Sequence, residues 1–198
     1  MRDLKAQLET CLRGRACLMG LGNVDCGDDA FGVRLAEAVA ALQGNGGGET
    51  RTAAPSPEAG RWFTGGSADP AAGGSGVAVV LAGTEPERFM GRLCELRCDH
   101  LIFLDAAQFG GSPGSVAFLS SNEMATRFPQ VSTHKLSLGL LAKLVEAGGS
   151  TRVWLLAAQP ASLQPGAALS PAVAKTVQAL TLLFSELLEG LSVQLAIP

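Results

Sequence analysis

The chain has 198 residues, of which 47% are hydrophobic and 17% are charged, and its formal net charge is −3. This composition predicts a folded domain with a packed core and excludes a disordered chain. The sequence has no block of Lys and Arg and no Tyr. A nucleic-acid surface, which needs clustered cations to neutralise phosphates, is therefore not expected.

The first fifteen residues carry charges throughout and lack the apolar core of a signal peptide. No stretch of 18 residues is apolar enough for a transmembrane helix. An odd number of cysteines in a weakly charged chain of this size favours reduced thiols over a disulfide framework; they are Cys11, Cys17, Cys26, Cys94 and Cys98. We therefore expect a cytoplasmic protein, without membrane insertion and monomeric.

Short apolar segments alternate with segments of helical periodicity along the whole chain. Helices are predicted over residues 3–13, 30–42, 85–97, 134–147 and 171–190. Strands are predicted over residues 16–21, 77–82, 100–105, 114–120 and 152–158. Because these strands are apolar throughout, they are typical of parallel strands covered on both faces. The prediction is a single α/β domain over residues 1–198, with a central, mostly parallel sheet of about five strands and helices on both faces.

Residues 44–76 differ from the rest of the chain because they are rich in Gly, Ala, Ser and Pro. We predict a long insertion without regular structure, anchored at a patch formed by Trp62–Phe63. Loops of this length are uncommon within compact domains.

Polar side chains stand where two of the predicted strands end. Asp28 and Asp29 follow the first strand, and Asp105 follows the four large apolar residues 101–104. In open α/β sheets, ligands bind at the carboxyl ends of the strands. We therefore expect these carboxylates to meet at one edge of the sheet.

Each aspartate also has a structural explanation. One aspartate of the pair can cap the following helix, and Asp28 is the more natural cap. Two adjacent carboxylates repel each other unless a cation or a proton intervenes, which makes Asp29 a candidate for function. Asp105 could simply begin a turn.

His134 opens the helix predicted over 134–147, behind a cap formed by Ser132 or Thr133. The positive end of a helix disfavours protonation of an imidazole, which keeps it competent as a ligand or base; otherwise His134 is only a helix-start residue. The inward stripe of this helix is expected to contain Leu136, Leu140, Leu144 and Ala147. His100 precedes a strand at the opposite edge of the sheet, where a structural role is expected. Two carboxylates and an imidazole would suit a borderline ion such as Zn or Ni.

Two other patterns suggest nucleophilic catalysis. Residues 110–114, "GGSPG", match the G-x-S-x-G pattern, but a nucleophile elbow joins a strand to a helix, whereas Pro113 and a β-like segment follow here. Cys26 could pair with His134 as a nucleophile, although a single loop cysteine is more often incidental. No phosphate-binding glycine motif is present.

Four separated segments resemble the hydrogenase maturation endopeptidases, in the order found in that family. "GLGNVDCGDDAFGVRLAE" resembles the family's G-[IV]-G-N and D-[DE]-x-x-G signature, and "LDAAQFGGSPGSV" resembles its D-A-x-x-x-G-x-x-P-G segment. "STHKLSLGLLAKL" resembles its [ST]-T-H-x-x-x-L segment, and "LLAAQP" resembles its late strand ending in Q-P. These matches cover most of residues 16–190.

The resemblance implies a cytoplasmic, aspartic-type endopeptidase of [NiFe]-hydrogenase assembly. Such an enzyme removes a C-terminal peptide from the large-subunit precursor after nickel insertion, and the nickel belongs to the substrate rather than to the protease. By position, the resemblance assigns the nickel-contacting and catalytic roles to Asp29, Asp105 and His134. Asn23 and Asp28 match flanking signature positions without a ligand role.

The sequence also departs from the family. Ala30 replaces the glycine that commonly follows the acidic pair, "LAGTEPE" lacks the family's acidic residue and Gly-Gly, and the insertion over 44–76 is long. These differences concern the choice of substrate. Two other functions stay open at this level: a nickel-checking assembly chaperone that does not cleave, and a small-molecule-binding module whose aspartates only cap.

Overall fold

A computed structural model of the chain describes residues 2–44, 62–64, 76–127 and 137–195, and the structural statements below refer to these residues. Within them, no helix is both long enough and apolar enough to cross a membrane.

In the described part of the chain, six strands form one sheet in the order β2-β3-β1-β4-β6-β5. They are β1 Arg15–Leu21, β2 Trp62–Thr64, β3 Gly76–Gly83, β4 His100–Ala106, β5 Val116–Ser120 and β6 Arg152–Ala158. The four inner strands are parallel, and β2 and β5 pair antiparallel at the two edges. The mostly parallel sheet is thereby confirmed. The sixth strand, β2, coincides with the predicted anchoring patch at Trp62–Phe63. Residues 45–61 and 65–75 of the predicted insertion lie outside the described residues.

The helices are α1 Arg2–Leu12, α2 Phe31–Gly44, α3 Met90–Leu96, α4 Ser121–Arg127, α5 Leu138–Ala147 and α6 Pro171–Leu195. Helix α4 was not predicted, yet a capping box precedes it: the backbone N–H of Ser120 donates to the Glu123 carboxylate at 2.9 Å, and the Ser120 hydroxyl oxygen accepts from the backbone N–H of Glu123 at 3.4 Å. Short 3-10 turns, Gly27–Ala30 and Pro86–Phe89, precede α2 and α3.

The strands divide their side chains between two hydrophobic cores, as the two-residue period of a strand requires. Met19 and Phe103 pack in the core that contains residues of α3, α4 and α5. Leu18 and Ile102 pack in the opposite core, which contains residues of α1, α2 and α6. Helices therefore cover both faces, and the site lies at the edge where the parallel strands end.

Helix α5 differs from the prediction in its start and in its buried face. It begins at Leu138, and Ser137 is its N-cap, accepting a hydrogen bond from the backbone N–H of Leu140 at 3.3 Å. Leu140 and Leu144 are 46% and 51% exposed, whereas the core contains Leu138, Leu141, Ala142 and Val145. The predicted inward stripe is wrong because leucines occupy both faces of the helix, so its periodicity fits either face.

His100, at the amino end of β4, makes a structural contact, as expected. The indole N–H of Trp154 donates to Nδ1 of His100 at 3.0 Å, and Trp154 stacks on Phe118 with ring centroids 5.2 Å apart. Burial, followed by the positive charge of Arg152, lowers the pKa of His100, and the negative charge of Asp99 only partly opposes this.

Four cysteines whose side chains the structure describes are free thiols: Cys11, Cys17, Cys26 and Cys98. Burial raises the pKa of Cys11 to about 11. Burial also raises the pKa of Cys17 and of Cys98. These three thiols therefore behave as small hydrophobic core groups.

Candidate functional site

The candidate site lies where β1 and β4, neighbouring parallel strands, reach their carboxyl ends. Asp29 belongs to the 3-10 turn that follows β1, and Asp105 is the last but one residue of β4. Each aspartate is only 6% exposed. The structure thus brings these two predicted residues to the same edge of the sheet.

Two glycines allow the chain between β1 and α2 to fold this tightly. Gly22 has a φ of +108°, and a Cβ atom there would lie 1.8 Å from the backbone oxygen of Asp29. A Cβ atom at Gly32 would lie 1.9 Å from the backbone oxygen of Leu104. The first glycine lets the turn fold back over the end of β1, and the second lets α2 rest on β4 beside Asp105.

Backbone N–H groups orient both carboxylates. Oδ2 of Asp29 accepts a hydrogen bond from the N–H of Asn23 at 2.7 Å. Oδ1 of Asp105 accepts one from the N–H of Ala106 at 2.9 Å. These backbone donors give each carboxylate a defined orientation.

Asp28 does not cap the following helix, so the predicted role is wrong. The 3-10 turn Gly27–Ala30 has Cys26 at its N-cap position and no side-chain cap. The carboxylate of Asp28 is fully buried and accepts backbone hydrogen bonds from Ser170 at 2.6 Å, Ala161 at 2.8 Å and Ser162 at 3.3 Å. It therefore fixes the loop between β6 and α6, more than 130 residues further along the chain.

Opposing effects set the ionisation of Asp28. Burial raises its pKa and is the largest single effect, but the hydrogen bonds from Ser170, Ala161 and Ser162 together outweigh it and leave the pKa below its usual range. The same two loops are also joined by backbone hydrogen bonds from Asp28 to Ser162, at 2.9 Å, and from Gly166 to Asp25, at 2.7 Å. Asp28 is thus a charged link between two loops.

Gln159 is a site residue to which our sequence analysis assigned no role. It directly follows β6, is 4% exposed, and its amide oxygen accepts hydrogen bonds from the N–H groups of Phe109 at 2.9 Å and Gly111 at 3.2 Å. Those residues belong to the loop that leaves the site after Asp105. The available signal was a glutamine directly after the apolar residues 153–158, because a polar group that follows a buried strand needs hydrogen-bond partners.

His134, the third predicted residue, lies outside the described residues. The helix predicted to begin at His134 begins instead at Leu138, behind the Ser137 cap. Within the described residues, no group of three or more His, Cys, Asp and Glu side chains is arranged to hold a metal ion. The two carboxylates are therefore the described part of the predicted set.

The serine pattern at residues 110–114 is not a nucleophile elbow. It lies in the loop between β4 and β5, with φ values of +79° at Gly110 and +80° at Gly114, and a strand rather than a helix follows.

The backbone carbonyl of Cys26 accepts the N–H of Asp29 at 3.1 Å, so Cys26 helps to shape the turn.

The chain is similar to known proteins over most of its length. A family model described as hydrogenase maturation protease (HycI) matches residues 70–185, more than half of the chain. This range includes Asp105 and His134 and excludes Asp29. Among curated proteins, no sequence matches this chain.

Two solved structures illustrate the likeness. The [NiFe] hydrogenase maturation protease HycI from Thermococcus kodakarensis KOD1 is 26% identical, with a TM-score of 0.67 over 92% of this chain and 99% of that one. The hydrogenase maturating endopeptidase HybD from E. coli is 23% identical, with a TM-score of 0.61 over 91% of this chain and 93% of that one. The second likeness concerns the fold alone.

Proposed function

This chain belongs to the hydrogenase maturation protease family, and we propose that it removes a C-terminal peptide from the nickel-loaded large-subunit precursor of a [NiFe]-hydrogenase. The family consists of proteases, so the chain is a peptide hydrolase. The proposal extends to the recognition signal, which is the nickel ion carried by the substrate, and to action as a cytoplasmic monomer.

The observation that carries the proposal is the different use of two adjacent carboxylates. Three backbone N–H groups occupy both oxygens of Asp28, which is fully buried. Among the described residues, the side chain of Asp29 has a single hydrogen-bond donor, and that donor engages Oδ2. Asp29 therefore retains an oxygen for a ligand at the same sheet edge as Asp105, whereas Asp28 does not.

Carboxylate oxygens together with an imidazole nitrogen form a set that suits nickel. We propose that Asp29, Asp105 and His134 contact the nickel of the precursor and so place the scissile peptide at the carboxyl edge of the sheet. A water molecule activated either by a carboxylate or by the substrate's nickel would then attack the peptide carbonyl. Both routes lower the cost of producing a nucleophile near neutral pH.

The test incubates the purified protease with nickel-loaded and nickel-free precursor and measures release of the C-terminal peptide by mass spectrometry. We expect cleavage of the loaded precursor alone. Asp29→Asn, Asp105→Asn and His134→Gln should each lower the rate by about 100-fold or more. Asp25→Asn is the matched control, because its exposed side chain lies in the same loop as Asp29.

Each alternative has a distinct outcome in the same assay. Binding of loaded precursor without cleavage would indicate an assembly chaperone. Equal cleavage of both precursors would remove nickel recognition from the proposal while leaving the protease. Full activity of Asp29→Asn would show that the site assignment is wrong.

A further inference from the structure

Gln159 stands out among the buried polar side chains because three of its four side-chain hydrogen bonds join it to one loop. It follows Ala158, the last residue of β6, and is 4% exposed. An amide buried to this degree costs free energy unless both its oxygen and its nitrogen find partners. All of these partners except the carbonyl of Pro160 lie in the segment that connects β4 to β5.

The amide of Gln159 satisfies both of its polar atoms. Its oxygen accepts from the N–H groups of Phe109 and Gly111, at 2.9 and 3.2 Å. Its nitrogen donates to the side-chain oxygen of Gln108 and to the backbone oxygen of Pro160. One side chain is therefore hydrogen-bonded to three residues of the loop, at positions 108, 109 and 111.

The backbone of Gln159 binds the far end of the same loop. Its N–H donates to the carbonyl of Ser115 at 2.8 Å, and its carbonyl accepts from the N–H of Gly114 at 2.8 Å. Both ends of the loop are therefore hydrogen-bonded to one residue, Gln159, directly beyond β6. Without such ties, the ordering of a connection containing Gly110, Gly111 and Gly114 would be entropically costly.

This loop begins directly beyond Asp105. Asp105 pairs in register with Ala157, and the N–H of Ala107 donates to the carbonyl of Ala158 at 3.0 Å. The regular pairing of β4 with β6 stops at Ala106 and Ala158. Beyond it, the side-chain oxygen of Gln159 accepts the backbone N–H groups of the loop. The path of the chain after Asp105 is therefore set by Gln159.

We propose that Gln159 is a positioning residue of the peptidase site, acting through residues 107–114 on Asp105 and on the wall of the cleft beside it. The proposal rests on the proposed function, because it assumes that Asp105 takes part in cleavage. Both polar atoms of the Gln159 amide are already hydrogen-bonded within the protein, so its role does not require contact with the substrate. Its effect is expected on the rate of the chemical step rather than on precursor binding, because small displacements of a catalytic group lower rates strongly.

The test compares Gln159→Met with Gln159→Glu. Methionine has a similar volume but lacks the acceptor and the donor, whereas glutamate keeps an oxygen for Phe109 and Gly111 and loses the donated bonds. With nickel-loaded precursor, well below the thermal midpoint, we expect kcat to fall about 10-fold or more in Gln159→Met, with KM within about 2-fold. In Gln159→Glu, kcat should recover to within about 3-fold of the original chain, because the acceptor is restored.

A second measurement reads the loop directly. Hydrogen exchange at the Phe109 and Gly111 amides should be faster in Gln159→Met and partly restored in Gln159→Glu. Gln164→Met, an exposed position in the β6–α6 loop, is the control and should leave both kcat and exchange unchanged.

The outcomes separate this inference from the proposed function. An active original chain together with an unchanged kcat in folded Gln159→Met overturns the positioning role alone. An original chain that fails to cleave loaded precursor overturns the proposed function and the positioning role together. If Gln159→Met does not fold, Gln159→Glu decides. Values of kcat and exchange that both stay near the original, or a lower kcat together with faster exchange, would support the inference, and a change in only one of the two would overturn it.

Discussion

Replacing Asp28 by asparagine tests whether this carboxylate links two distant loops. Asparagine keeps the shape of the side chain but replaces one acceptor oxygen with an NH₂ group. If the NH₂ group replaces Oδ1, the N–H of Ser170 loses its acceptor. If it replaces Oδ2, the N–H groups of Ala161 and Ser162 lose theirs. Either orientation leaves a donor facing a donor next to a fully buried side chain.

The magnitude follows from the number and kind of hydrogen bonds lost. A hydrogen bond to a charged group contributes about 1.5–3 kcal/mol, and one or two of the three are lost, so we expect the free energy of unfolding to fall by about 2–4 kcal/mol. For a chain of this size, that lowers the thermal midpoint by about 5–15 °C.

Urea denaturation at pH 7, followed by far-UV circular dichroism, measures this loss. Asp25→Asn removes the same charge from an exposed side chain in the same loop and should change the free energy of unfolding by no more than about 0.5 kcal/mol. Equal unfolding midpoints for Asp28→Asn and Asp25→Asn would refute the assignment of Asp28 as a link between loops.

Three further predictions concern the turn after β1, the amino end of the sheet and α5. Gly22→Ala should lower the free energy of unfolding by about 2 kcal/mol or more, measured by urea, because its φ is positive and a Cβ would collide with Asp29. Because the pKa of His100 is lowered in the folded state, the unfolded chain binds more protons as pH falls; the contribution of His100 to the free energy of unfolding is therefore complete above pH ~6.5 and is lost as pH falls toward the folded-state pKa. His100→Gln should make the free energy of unfolding fall less between pH 7.5 and 5.5, and an identical pH dependence in both proteins would contradict the assignment. Leu141→Ala should cost about 2–4 kcal/mol and Leu144→Ala less than about 0.5 kcal/mol, and equal losses on urea denaturation would mean that the buried face of α5 is misassigned.

Local pattern was informative wherever the environment of a residue follows from its neighbours in sequence. Apolar runs identified β1, β3, β4 and β6, and their parallel pairing follows from alternation with helices. The position of Asp105 at a strand end, and of Asp29 just beyond another, was visible for the same reason. Local pattern did not separate the two faces of α5, since Leu140 and Leu141 are equally apolar and only packing distinguishes them.

The sequence by itself determined the α/β class, the core strands and the sheet edge at which the aspartates gather, because those features depend on hydrophobic period and chain order. Only the tertiary structure decided the separate roles of Asp28 and Asp29, since the partners of Asp28 lie 133–142 residues away. The same holds for Gln159, whose amide binds residues about 50 positions earlier in the chain. Such contacts depend on how loops meet after the sheet has formed, and no short window of sequence contains both partners.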